Sequence, residues 1–139
     1  MLLRKPNILL VEDNAADANL VAEALNEASV DCNLSVLVDG ARAISFIDGV
    51  DTGSADDCPD IVLLDLNLPR AGGTAVLERL RSSPRCSHAK VLIISSSDAP
   101  SDREGAMSLG ASDYFRKPSS LEEFMRLGPR VQAMLYAGK

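Results

Sequence analysis

The sequence has little cysteine, and none of it in a redox or metal-binding spacing. Cys32, Cys58 and Cys86 are the only three, they lie far apart, and no C-x-x-C occurs. An odd number at such distances fits reduced, cytosolic thiols better than a disulfide framework. Cys86 and His88 are close, but two soft ligands in one loop do not complete a metal site. Long apolar runs are also missing, and nothing approaches the roughly 20 residues of a membrane span. The stretch from Met1 to Asn7 carries Arg4, Lys5 and Pro6 without an apolar core, which is not a signal peptide. There is no internal repeat and no low-complexity tract. No G-x-G-x-x-G or Walker loop follows the first apolar run, where Asp13-Asn14-Ala15 stands instead, which argues against a nucleotide or flavin site of that kind.

What is present suits one domain with one core: 139 residues, 46% of them hydrophobic. The formal net charge is -6. An acidic chain repels the phosphate backbone, so nucleic acid is not an expected partner, and neither is a membrane.

Three apolar runs, Ile8 to Val11, Ile61 to Leu64 and Val91 to Ile94, are continuous rather than alternating. Strands buried on both faces of a parallel sheet read this way. Leu34 to Val38 is a weaker run and Asp113 to Arg116 a short fifth one. Helical patterns fall between them. Ala15 to Ala28 places Leu20, Val21, Ala24, Leu25 and Ala28 on one face, with Asn14 as N-cap. Ala41 to Ile47 and Thr74 to Arg81 follow. Ser101 to Leu109 has Ser101 and Glu104 at capping-box spacing, and Gly110 stands where a left-handed C-terminal residue is favoured. A last helix starts at Ser119 or Ser120 and runs to about Tyr136. Gly128-Pro129 inside it predicts a kink or break, because proline lacks the amide donor and clashes with the preceding turn. Asp48 to Pro59, rich in Asp, Gly and Ser, reads as a surface loop. Strand and helix alternating five times predict a doubly wound α/β sheet.

In such a sheet, ligands bind outside the carboxyl ends of the strands. The first run ends with Glu12 and Asp13, the third with Asp65 and the fourth with Ser95, and the fifth is followed by Lys117-Pro118. Any one of these reads most simply as a turn residue, a cap or a solvated charge. Together they put three carboxylates, a hydroxyl and an amine on one edge. Crowded carboxylates repel unless protons or a cation relieve them. Hard oxygen ligands suit Mg²⁺, which completes its shell with waters and phosphate oxygens. An ammonium opposite would balance a phosphoryl group as a point charge.

The stretches Ile8-Leu9-Leu10-Val11-Glu12-Asp13-Asn14, Leu63-Leu64-Asp65-Leu66-Asn67-Leu68-Pro69, Ile94-Ser95 and Tyr114-Phe115-Arg116-Lys117-Pro118, in this order, resemble the receiver domain of two-component response regulators. The resemblance spans nearly the whole chain. Val11 to Asp17, Asp65 to Arg70 and Ser95-Ser96-Ser97-Asp98 look most like single-domain receivers paired with phytochrome-type histidine kinases. It implies a flavodoxin-like (βα)5 fold with five parallel strands in the order 2-1-3-4-5. One cytoplasmic receiver domain over residues 1–139, with no output domain, is expected.

The same resemblance implies the roles of the site residues. Asp65 takes a phosphoryl group from a sensor histidine kinase. Glu12, Asp13, Asp65 and the backbone carbonyl of Asn67 surround Mg²⁺, for which Mn²⁺ or Ca²⁺ could substitute in a crystal. Ser95 and Lys117 contact the phosphoryl oxygens. Ser95 and Tyr114 form a switch pair, with Tyr114 moving inward on activation. The Lys117-Pro118 bond is expected to be cis. The partner is a histidine kinase, such as a bacteriophytochrome, and a homodimer would use the face of the fourth helix, fifth strand and fifth helix.

Two departures stand out. Gly72-Gly73 replaces the more usual Asp-Gly or Asn-Gly after Leu68-Pro69, which predicts a looser loop, and Gly128-Pro129 alters the helix that dimers use. Two other classes compete with a phosphorylated signalling module. An aspartate-nucleophile phosphohydrolase generally needs a second acid two residues after the nucleophile, and Asn67 stands there. A receiver-like module acting without phosphorylation would not need the full set of site groups.

Overall fold

The continuous apolar runs are strands because both of their faces are covered. In the computed structural model, which describes residues 4–53 and 56–136, strands and helices alternate along the chain. The elements are β1 (Asn7–Val11), α1 (Ala15–Glu27), β2 (Asn33–Leu37), α2 (Gly40–Asp51), β3 (Ile61–Asp65), α3 (Gly73–Ser82), β4 (Lys90–Ser95), α4 (Pro100–Ser108), β5 (Asp113–Arg116), α5 (Leu121–Phe124) and α6 (Leu127–Tyr136). All strand pairs are parallel, in the expected order β2-β1-β3-β4-β5.

Successive residues on a strand point to opposite faces. Leu9, Val11, Val62, Leu64, Val91 and Ile93 therefore pack on one side against Ala43, Ile47, Val76 and Leu80 of α2 and α3. Ile8, Leu10, Leu63, Leu92 and Ile94 pack on the other side against Val21, Leu25, Leu127 and Val131 of α1 and α6. The edge strand β2 lacks this double cover, which explains its weaker signal: Val36 is 44% exposed.

The helix ends follow local chemistry. Asn14 caps α1 by accepting from the Asp17 amide, as expected. Gly110 ends α4 with φ 103°. The start of α4 differs from expectation. Ala99 occupies the N-cap, Pro100 opens the helix, and Ser101 lies inside it, so no Ser101–Glu104 capping box forms. Proline at the first helical position loses no bond that the helix could have made. The loop expected over Asp48 to Pro59 begins later, because α2 continues to Asp51. Residues 54 and 55 of that loop, and the first three of the stretch Met1 to Asn7, lie outside the described residues.

The expected break in the last helix is present but sits upstream of Gly128-Pro129, between α5 and α6. Pro129 thereby falls in the first turn of α6, where a missing amide costs nothing. Gly128 has its own reason. A Cβ there would lie 2.3 Å from the Ala24 carbonyl oxygen and 2.6 Å from Ala28 Cβ, so only glycine lets α6 approach α1 so closely.

Two sequence expectations fail here. Cys58 and Cys86 are not reduced thiols: they form a disulfide with a Cα–Cα distance of 5.3 Å, and Cys32 remains free. Their separation of 28 residues hid a tertiary approach. Asp51 at the end of α2 accepts from Ser83 Oγ at 2.7 Å, the Cys86 amide donates to that Oγ at 2.9 Å, and Arg79 Nη2 reaches Asp51 at 2.7 Å. This network folds the chain after α3 back towards the Cys58 segment. The Lys117-Pro118 bond is also not cis, since the described residues contain no cis peptide. The trans isomer is intrinsically preferred and already brings Lys117 to its carboxylate partners.

Closing a loop of this length should stabilise the fold by about 3–4 kcal/mol. Reduction with a dithiol should therefore lower the thermal midpoint by about 10 °C, and have no effect on a Cys58→Ser/Cys86→Ser variant. Circular dichroism melts check this; equal midpoints with and without reductant would mean that the bridge contributes nothing.

Candidate functional site

The register of the sheet assembles the site. Val11 is opposite Leu64 and Ile94 opposite Asp65, so Glu12, Asp65 and Ser95 emerge side by side at one edge. The ladder continues one step past β5, where the Lys117 amide donates to the Ser95 carbonyl at 2.7 Å. That bond delivers the Lys117 side chain to the same edge.

Glu12 and Asp65 are almost fully buried, at 2% and 6% exposure, whereas Asp13 is open to solvent. One carboxylate oxygen from each of the three lies within 4.8 Å of the others. The Lys117 ammonium is held by Glu12 Oε1 at 2.8 Å, by Asp17 Oδ2 at 2.8 Å, and more distantly by Asp65 Oδ2 at 3.5 Å. Burial pushes the Glu12 carboxyl up to about 7; the Lys117 hydrogen bond opposes this, and the charge of Asp65 adds to it. Burial alone would lower the Lys117 ammonium, but its bonds to Asp17 and Glu12 and the charge of Asp65 outweigh that and raise it above the usual lysine range. Lys117 therefore stays charged, and the cost of burial, with a smaller part from Asp65, falls on Glu12.

The remaining expected residues are placed as follows. The Asn67 amide donates to Asp65 Oδ1 at 3.0 Å, and its side chain is exposed. Ser95 is wholly buried, and its Oγ accepts from the Ser97 amide at 3.1 Å. Tyr114 does not wait outside. It is 4% exposed, its hydroxyl donates to the Ser97 carbonyl at 2.8 Å, and the Arg103 guanidinium lies 5.6 Å from its ring centroid. Tyr114 thus occupies the inward position in this structure.

The loop after β3 is tight rather than loose. Arg70 and Ala71 adopt φ of 51° and 64°, unusual for residues with side chains, and each such residue costs about 1–3 kcal/mol. Gly73 packs beneath the acceptor strand: a Cβ there would lie 2.4 Å from the Asp65 carbonyl oxygen. The second glycine of Gly72-Gly73 therefore serves contact with Asp65 rather than slackness.

Sequence reasoning missed Asp17 as a site residue. Its signal was available: an acid in the first turn of the helix that follows the acidic pair, on the same edge of the sheet.

Buried acids, a fixed ammonium and a hydroxyl on one edge of a β2-β1-β3-β4-β5 sheet narrow the choice of family. The sequence pattern of the response regulator receiver domain matches residues 8–127. The chain belongs to the response-regulator receiver family. Response regulator Rcp1 of Synechocystis sp. is 32% identical over 126 residues, 91% of this chain and 86% of the relative. Among solved structures, the phosphorylated cyanobacterial phytochrome response regulator RcpA is similar with a TM-score of 0.84 at 27% identity, covering 98% of this chain and 97% of that one. The Mn²⁺-bound form of Rcp1 gives 0.82 at 29% identity, covering 96% of each chain.

The donor set of this receiver fits a divalent cation. Three carboxylate oxygens converge, two from buried side chains and one from an exposed one, which leaves a wet side for water and phosphate oxygens. Removing one ligand should weaken the site sharply. Asp13→Ala should raise the Mg²⁺ dissociation constant by about tenfold or more, measured by titration calorimetry, because a cation of this class is held through few protein oxygens. An unchanged constant would mean that Asp13 is not a ligand.

Proposed function

We propose that this receiver accepts a phosphoryl group on Asp65 from a phosphohistidine of a sensor kinase and signals by protein contacts. The observation that carries this reading is the buried Asp65 carboxylate set between Glu12, Asp13 and the ammonium of Lys117. An Asp65 oxygen attacks phosphorus, a P–O bond forms, and the P–N bond to the imidazole breaks. Mg²⁺, held by Glu12, Asp13, Asp65 and the Asn67 carbonyl, would neutralise the phosphoryl oxygens. Lys117 supplies the opposing point charge. The Asn67 amide steadies one Asp65 oxygen and leaves the other on the Lys117 side.

Ser95 must exchange one bond for another. Its Oγ now accepts from Ser97, and it would turn to donate to a phosphoryl oxygen. A hydrogen bond to a charged group contributes about 1.5–3 kcal/mol, enough to shift a two-state equilibrium by one to two powers of ten. Tyr114 is bonded to the Ser97 carbonyl, so a change at Ser95 reaches it through the same turn.

The similarity to Rcp1 and RcpA supports a phytochrome-type histidine kinase as partner. The chain would act as one receiver in the cytoplasm, turning over no external substrate, with output through a partner or a second copy. The α5–α6 break lies on the face that receivers commonly use for pairing, which makes the pair geometry specific to this chain.

Mass spectrometry after incubation with Mg²⁺ and acetyl phosphate or a cognate kinase should find one phosphoryl group on Asp65 and none in Asp65→Asn. Label retained by that variant would move the acceptor elsewhere. Lys117→Ala should weaken beryllofluoride binding about tenfold or more, as loss of a charged contact does, while weakening Mg²⁺ binding less. Equal losses would contradict the role assigned to Lys117.

A further inference from the structure

We propose that Asp17 is a positioning residue for phosphoryl transfer: with Glu12 it holds the Lys117 ammonium so that the remaining donor faces Asp65. The inference rests on Asp65 being the acceptor.

An ammonium has three N–H donors. Two are occupied at 2.8 Å, by Glu12 Oε1 at the end of β1 and by Asp17 Oδ2 in the first turn of α1. The third contact, to Asp65 Oδ2, is 3.5 Å long, at the limit of a hydrogen bond. A phosphoryl oxygen attached to Asp65 would fall on that side. Two short bonds from two different elements thus leave one donor of Lys117 pointing where new charge arrives.

Such an anchor has a purpose. The lysine stem is flexible, and fixing it at the moment of transfer costs rotamer freedom. A lysine already held does not meet that cost then. Asp17 is itself well fixed. Its amide donates to Asn14 Oδ1 at 3.0 Å, and α1 is seated on the core through Val21, Ala24 and Leu25. Its side chain is 28% exposed, so water reaches its outer face, whereas Glu12 is nearly buried. Among the described residues, no hydrogen bond or ion pair joins Asp17 to Asp65, so its effect runs through Lys117.

A simple charge effect predicts the opposite sign. Removing an acid near an incoming anion would tighten anion binding, whereas removing an anchor loosens it. The experiment uses the full chain as wild type, Asp17→Ala and Asp17→Asn. Calorimetry measures Mg²⁺ alone, then beryllofluoride at saturating Mg²⁺. ¹⁵N NMR follows solvent exchange of the Lys117 ammonium in metal-free protein.

Asp17→Ala should raise the beryllofluoride dissociation constant about five- to tenfold, with less than about a twofold change for Mg²⁺. It should also accelerate ammonium exchange. Asp17→Asn, which keeps a carbonyl acceptor, should recover most of both. Unchanged or tighter beryllofluoride binding in Asp17→Ala, equal losses for both ligands, or no recovery with Asn would each overturn the proposal. If the wild type binds no beryllofluoride, the acceptor reading fails and this role with it, while ammonium exchange still shows whether Asp17 holds Lys117.

Discussion

One ammonium shared among carboxylates is the interaction on which the site depends. Glu12, Asp17 and Asp65 all turn towards Lys117, and Asp13 stands beside the first and last. Without the cation, two nearly buried acids would face each other in a poorly solvated corner, and one would take up a proton. Burial is the main reason that Glu12 is pushed up to about 7; Lys117 opposes the rise and Asp65 adds to it. The remaining deficit of positive charge gives the site its appetite for a divalent ion. The same arrangement suits the acceptor role proposed for Asp65. Glu12 and Asp17 take the short bonds, and Asp65 keeps the long one.

The sheet makes this crowding possible. Carboxylates come together only if something stronger holds their backbones in place, and here that is β1, β3 and β4, packed on both faces. Locally unfavourable features sit at the same edge. Arg70 and Ala71 hold left-handed backbone, and Gly73 lies against the acceptor carbonyl. Such strain persists because the surrounding core over-determines it. At the far end of the sheet, the Cys58–Cys86 bridge and the Asp51 network tie the segments before β3 and β4. Both strands that carry the acceptor and the switch hydroxyl are thus fixed at their origins.

The sequence made legible whatever depends on periodicity and on strand ends. The three continuous runs revealed the covered strands and, at their ends, Glu12, Asp13, Asp65 and Ser95, and the short fifth run led to Lys117. What it hid depends on long-range approach. Cys58 and Cys86 have no telling spacing; only the fold of the segments around Asp51 brings them together. The Lys117-Pro118 isomer was read from resemblance alone, and the bond is trans. Gly128-Pro129 signalled a break correctly but not its position, because packing of Gly128 on Ala24 decides where α6 must start. Asp17 lay in plain view and was passed over as a helix-start acid, since nothing local to α1 points to an amine a hundred residues away.

The inward position of Tyr114 bears on how such a site could transmit a signal. The ring is buried and tied to the Ser97 carbonyl, while Ser95 Oγ is tied to the Ser97 amide. Both switch groups therefore engage opposite polar ends of one residue. If Ser95 turns towards a phosphoryl oxygen, the Ser97 amide loses its acceptor, and the turn carrying the Tyr114 bond must adjust. Ser97 Oγ meanwhile accepts from the Ala99 amide and pairs with Asp102 at the start of α4. The path of change thus leads from Ser95 through Ser97 into α4, a helix whose only buried residue is Ala106. A helix so lightly anchored can shift at small cost, so α4 is the element that a rearrangement of the Ser97 turn would reach directly.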